Sequence, residues 1–295
     1  MKLDGVWVAT VTFFNSDGSV DYENFRRHCD YLIDQGVSGL VPCGTTGEGP
    51  TLKSEERKKL IEIATSCGQK LNKLVIAGCG GNSTASVLQS ILEARDSGAS
   101  AALVVTPYYN KPTQEGLLAH YFFLADHTPI PIVLYNVPSR TGVNLLPDTV
   151  AQLWNHPQII GLKEATGNHS QWLELTSQSF QPNRFLLAGD DDAYATLAAL
   201  GATGIISATA NIAPAVFVKM GQLLECGNFK EAFLLQKRLL PLVRAVFSET
   251  NPAPLKYALN RMGRGANCLR LPLVPVRPAT QSILDQELKS LEMIT

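Results

Sequence analysis

Eight short apolar runs alternate with eight amphipathic stretches along most of the chain, and this alternation limits the fold more than any other feature. The apolar runs lie at residues 6–12, 39–42, 74–78, 101–106, 132–136, 159–164, 185–188 and 204–207. Most are continuous rather than alternating, as parallel strands covered on both faces require. Helical patterns fill the gaps, at 21–35, 54–67, 83–97, 114–126, 148–155, 169–179, 191–200 and 214–226. The first places Phe25, Cys29, Leu32 and Ile33 on one stripe. Ser54 reads as a helix N-cap followed by first-turn acids, and Gly98 as a helix stop. Strand–helix alternation implies a parallel sheet. Eight even units favour closure into an α/β fold, a (β/α)8 TIM barrel, over an open doubly wound sheet. Residues 1–227 are expected to form the barrel. Residues 228–295, with helical patterns at 229–247, 254–262 and 278–291, are expected to form a C-terminal helical region packed on it.

Composition excludes several functional classes. Hydrophobic residues make up 45% of the chain, enough for a large core and too much for global disorder. Lys+Arg 25 against Asp+Glu 26 gives a net charge of -1, so no broad basic field exists for nucleic acid or an anionic membrane. Small anions need only a local site and are not excluded. The N-terminal segment reads as a strand rather than a signal peptide, and no run approaches the ~18 apolar residues of a membrane span. Six cysteines (Cys29, Cys43, Cys67, Cys79, Cys226 and Cys268) form no CxxC pair. Without an export signal they read as reduced thiols of a cytoplasmic protein. The glycosylation sequons at Asn82 and Asn168 carry no weight without secretion.

In such a barrel, chemistry sits at the carboxyl ends of the strands. After the second strand comes Gly44-Thr45-Thr46-Gly47-Glu48. Its backbone N–H groups and hydroxyls suit a carboxylate or phosphate, but also an ordinary polar turn. Glu48 is equally a helix-entry acid or a catalytic one. The loop Thr106-Pro107-Tyr108-Tyr109-Asn110-Lys111 is aromatic and bounded by prolines. Tyr135, at the end of the fifth strand, can relay protons, and Arg140 in the next loop suits bidentate carboxylate binding. The sixth strand ends in Lys163. A desolvated amine gives up its proton more readily and attacks carbonyls. The plainer alternative is a lysine paired with Glu164 or reaching to solvent. Asp190, Asp191 and Asp192 read as a helix N-cap with first-turn acids in preference to a metal site. Gly78-Cys79-Gly80-Gly81 lacks both the dinucleotide glycine spacing and a Walker lysine. The five histidines show no metal-ligand spacing.

The segments GTTGE, TPYYNKPTQEG, YNVPSRTG, GLKEAT, AGDD and GIISATAN occur in this order, followed by NPAPLKYAL and LRLPL. Together they resemble the dihydrodipicolinate synthase family, within the N-acetylneuraminate lyase group of class I aldolases. The resemblance implies that Lys163 forms a Schiff base with pyruvate. It makes Tyr135 the proton donor, with Thr45 and Tyr109 completing a relay. Thr46, Gly189 and the Ile206 backbone would bind substrate, and Arg140 would receive the carboxylate of aspartate semialdehyde. No organic cofactor and no metal are implied. The tyrosine matching Tyr109 reaches into a neighbouring subunit, which implies a dimer at minimum and a homotetramer as the expected assembly. Cleavage of sialic acid or a keto-deoxy sugar acid is the neighbouring reading, and Arg140 favours the synthase. A catalytically dead barrel is the third, opposed by the intact Lys163, Tyr135, Thr45 and Tyr109. In one respect the chain departs from lysine-inhibited members of the family. Their inhibitor site uses a His and a Glu where this chain has Ser54 and Ser86, although Tyr108 and Asn82 are kept. Weak or absent feedback by lysine is therefore expected.

Overall fold

The structure is a computed structural model that describes residues 1–178 and 184–294. Eight parallel strands close in sequence order into a barrel. They are β1 (Gly5–Ala9), β2 (Gly39–Val41), β3 (Leu74–Gly78), β4 (Ala101–Val105), β5 (Ile132–Asn136), β6 (Ile159–Glu164), β7 (Phe185–Ala188) and β8 (Gly204–Ser207). The helices between them are α1 (Tyr22–Asp34), α2 (Ser54–Gln69), α3 (Thr84–Asp96), α4 (Gln114–His127), α5 (Pro138–Thr141), α6 (Pro147–Leu153), α7 (His169–Gln178), α8 (Tyr194–Ala199) and α9 (Pro214–Glu225). Three more follow, α10 (Phe229–Val246), α11 (Ala253–Arg261) and α12 (Pro278–Ser290). Helix α10 lies along α8 and α9, and α12 packs on α10 and α11. The last residue of the expected 169–179 helix lies outside the described residues. Among the described residues, no helix is long and apolar enough to cross a membrane.

Alternation along the strands sorts side chains into two cores. Leu134, Leu162, Leu186 and Ile205 face the helices and join the large outer cluster. Trp7, Ile76, Val133, Leu187 and Ile206 fill the barrel interior. The Trp7 indole occupies the space a side chain at position 39 would need. A Cβ on Gly39 would meet Trp7 Cζ3 at 2.3 Å. Tyr135 belongs to the interior set, and Lys163, its register partner, lies on the same face. The parity that fills the barrel base with hydrocarbon therefore aims a phenol and an amine at its open end.

Three expectations need correction. The acids after β7 do not cap a helix: α8 starts later, with Ala193 at its N-cap and no acid in its first turn. Their carboxylates serve other loops instead. Asp191 Oδ2 accepts from Thr209 N at 2.6 Å, and Asp190 Oδ2 accepts from Gly167 N at 3.2 Å. Ser54 is the first residue of α2, not its cap. The N-cap is Lys53, whose N–H donates to Glu56 Oε2 at 2.9 Å, while Ser54 Oγ donates to Glu93 Oε2 at 2.8 Å. The strand of the apolar run at 6–12 ends at Ala9; beyond it Thr10 N donates to Val41 O at 3.1 Å and Val11 N to Asn211 Oδ1 at 3.3 Å.

Candidate active site

A cavity of about 700 Å³ opens at the carboxyl ends of the strands. Lys163 stands inside it, at the end of β6 and only 7% exposed. Its Nζ lies 4.3 Å from the centroid of the Tyr135 ring. Glu164, next in sequence, points to the opposite face of the strand and does not pair with Lys163. Its carboxylate accepts from Asn136 Nδ2 and the Thr166 N–H, both at 3.0 Å. Burial pushes Glu164 up to about 7 in spite of those hydrogen bonds. Asp190 lines the cavity and is raised to about 6. Burial is the main cause, repulsion from Asp192 adds to it, and Lys163 opposes it.

The loop after β2 forms another wall. Thr45 and Thr46 both line the cavity. Backbone bonds from Gly47 N and Gly49 N to Gly44 O, both at 3.1 Å, fold it into a tight turn. Thr46 Oγ1 accepts from Asn251 Nδ2 at 3.0 Å. Ile206, at the end of β8, forms part of the floor. Gly189 lines the wall after β7, where a Cβ would meet Ala165 Cβ at 2.6 Å and Glu164 O at 2.8 Å. Arg140, on the short helix α5, stands exposed at the mouth. The neighbouring Thr141 is buried and its Oγ1 accepts from Thr106 Oγ1 at 3.2 Å, which ties α5 to the end of β4.

Of the residues singled out in the sequence, Lys163, Tyr135, Thr45, Thr46, Ile206, Gly189 and Arg140 therefore share one cavity. Tyr109 does not line it. Its backbone is left-handed, with φ 73, and its side chain is 88% exposed. It borders an open groove shared with Lys111 and Arg140.

Sequence reasoning missed what the C-terminal region contributes. Asn251 reaches Thr46, and Lys256 of α11 reaches Glu48. Glu48 stands at the N-cap position of the short 3-10 turn Gly49–Thr51, as a helix-entry residue, but its side chain makes no capping hydrogen bond and is engaged elsewhere. It forms a fully buried ion pair with Lys256 at 2.5 Å, and its second oxygen accepts from Arg270 N at 3.0 Å. Lys256 Nζ also donates to Cys268 O at 2.7 Å. Burial pulls the Lys256 ammonium down, and Glu48 opposes that pull. The segment NPAPLK marks these residues in the sequence, but nothing local shows that they turn back to the barrel mouth.

Residues 2–291 match the dihydrodipicolinate synthetase family. The chain belongs to that family. It is 46% identical to the 4-hydroxy-tetrahydrodipicolinate synthase of Thermodesulfovibrio yellowstonii, over 98% of this chain and 99% of the relative. It is 44% identical to the enzyme of the same name from Methanothrix thermoacetophila, over 99% of this chain and 98% of the relative. The dihydrodipicolinate synthase of Acinetobacter baumannii, solved in complex with pyruvate, superposes with a TM-score of 0.96 at 39% identity, covering 99% of this chain and 100% of that one.

Proposed function

We propose that the chain is a 4-hydroxy-tetrahydrodipicolinate synthase, which condenses pyruvate with L-aspartate 4-semialdehyde in lysine and diaminopimelate synthesis. The observation that carries this reading is a buried amine, Lys163, beside a phenol, Tyr135, in a cavity walled by two threonines and gated by an arginine. The neutral Lys163 amine attacks the keto carbon of pyruvate. Loss of the former carbonyl oxygen as water leaves an iminium, and a proton lost from the methyl group gives an enamine. The enamine carbon adds to the aldehyde, whose oxygen takes up a proton. Attack by the semialdehyde's amine on the iminium carbon then closes the ring and releases Lys163. Tyr135 suits the proton transfers and Thr45 lies within the same cavity. Thr46, Gly189 and the Ile206 backbone suit the pyruvate end, and Arg140 suits the carboxylate of the incoming aldehyde.

Tyr109 is read as a relay member supplied to a neighbouring subunit, because its side chain is exposed and does not line its own cavity. A homodimer is then the smallest complete unit, and a homotetramer is the proposed assembly. The domain reading pairs a catalytic barrel at 1–227 with a supporting helical region at 228–295. Cytoplasmic location fits a biosynthetic enzyme with free thiols.

Borohydride reduction with pyruvate, read by intact mass, tests the Schiff base. A pyruvate-sized adduct is expected on the parent and not on Lys163→Ala. An adduct of the same yield on both would overturn the assignment. A panel of aspartate semialdehyde, sialic acid and keto-deoxy sugar acids tests the substrate. Arg140→Ala should impair use of the semialdehyde far more than pyruvate trapping.

A further inference from the structure

We propose that Asn251 is a positioning residue that fixes the hydroxyl of Thr46, acting on substrate only through that hydroxyl. Asn251 lies between α10 and α11 and is 5% exposed. It reaches across the barrel mouth to donate from Nδ2 to Thr46 Oγ1 at 3.0 Å. A threonine hydroxyl has one hydrogen and two acceptor positions. An amide N–H occupying one acceptor position turns the hydroxyl hydrogen away from Asn251. Thr46 lines the cavity, so that hydrogen is left to donate to an anion bound there. A freely rotating hydroxyl must be oriented when ligand binds, whereas this one is oriented beforehand.

A further observation supports the assignment: the contact is held from both sides. Glu48, two residues after Thr46, is bonded to Lys256, five residues after Asn251. Arg270 extends the lock by donating through its backbone N–H to Glu48 and through its guanidinium to both oxygens of Glu56, at 2.7 and 2.6 Å. The C-terminal region thus holds the substrate loop in the frame in which Asn251 meets Thr46.

The inference rests on the reading of Thr46 as a pyruvate-carboxylate donor, and a double-mutant cycle separates the two. Asn251→Ala, Thr46→Val and the double variant are compared with the parent. Two quantities are measured, the pyruvate concentration that gives half-maximal borohydride-trapped adduct and kcat at saturating pyruvate. Each single variant should raise the half-saturating concentration roughly tenfold. The double variant should match Thr46→Val, because Asn251 has nothing left to orient. Asn251→Ser, which retains a short hydrogen-bonding group, serves if the alanine variant does not fold. Its half-saturation should fall between the parent and the Thr46→Val variant. Additive losses in the double variant would mean that Asn251 contacts substrate or supports the fold generally, and would overturn the proposal. So would a half-saturation unchanged in Asn251→Ala. If Thr46→Val alone has no effect while the parent still forms its adduct, the error lies in the reading of Thr46. If the parent forms no adduct, the pyruvate chemistry itself is withdrawn.

Discussion

Lys163 Nζ lies 4.3 Å above the Tyr135 ring, and the two residues are register partners across β5 and β6. The ring face seats the amine, while the phenolic oxygen is a separate group free to handle protons. Tyr135→Phe separates these roles, because the ring stays and the hydroxyl goes. Half-saturation by pyruvate in the trapping assay should change little, while kcat falls by about 10²–10³. Steady-state rates measured alongside trapping check this. A kcat close to that of the parent would remove Tyr135 from the proton path.

The exposure of Tyr109 predicts complementation between subunits. Tyr109→Phe and Lys163→Ala oligomers, each nearly inactive, are mixed and allowed to exchange. A mixed dimer carries one site with both lesions and one with neither, so activity should return toward a quarter of the parent level, given random exchange. Native mass spectrometry establishes that exchange has occurred. Exchange without recovered activity would assign Tyr109 to its own chain's site.

Glu164 gives a pH signature. Its folded carboxyl titrates at about 7 against an ordinary 4.5, because it is buried. Between those two values the folded protein keeps a proton that the unfolded chain has lost. The stability from this group is therefore complete below about pH 4.5 and is lost as pH rises through about 7. Glu164→Gln cannot ionise. Its melting temperature relative to the parent should be more favourable at pH 8 than at pH 4.5, by whatever constant cost the amide brings. Parallel thermal melts across that range check it, and a pH-independent gap would mean that Glu164 does not titrate there.

Feedback inhibition by lysine should be weak. Free lysine has two ammonium groups, which need acceptors once desolvated. Ser54 Oγ is already committed to Glu93, and Ser86 offers no charge. Replacing a carboxylate by a hydroxyl forfeits ~1.5–3 kcal/mol of charge-assisted hydrogen bonding, roughly 10–150-fold in affinity. Initial rates titrated with lysine at subsaturating pyruvate test this. Half-inhibition at submillimolar lysine would show that the remaining residues suffice.

Periodicity located β3, β5, β6, β7 and β8 to the residue, because continuous apolar runs bounded by Gly, Pro or charge have few other ways to be buried. It failed at the start of α8, where local propensity suggested a cap. There Asp191 is buried and answers an N–H donor eighteen positions further along the chain. Lys163 and Tyr135 were legible because strand ends are local features. Their alignment follows from a shared register. Asn251 and Lys256 were not legible, since their roles depend on where two distant segments meet. Tyr109 was legible as a residue, but its place in an open groove, outside the cavity that holds Lys163, was not.

The lock on Glu48 joins residues 208 positions apart along the chain, and the Asn251–Thr46 bond spans 205. During synthesis the strands can pair in the order in which they emerge, and the barrel can close before α10 exists. The loop bearing Thr45 and Thr46 gains its last contacts only after α11 and the segment through Arg270 have been made. A nascent chain with a closed barrel would therefore hold its amine in place but leave the carboxylate seat unset, so competence for pyruvate would arrive as one of the final events of folding.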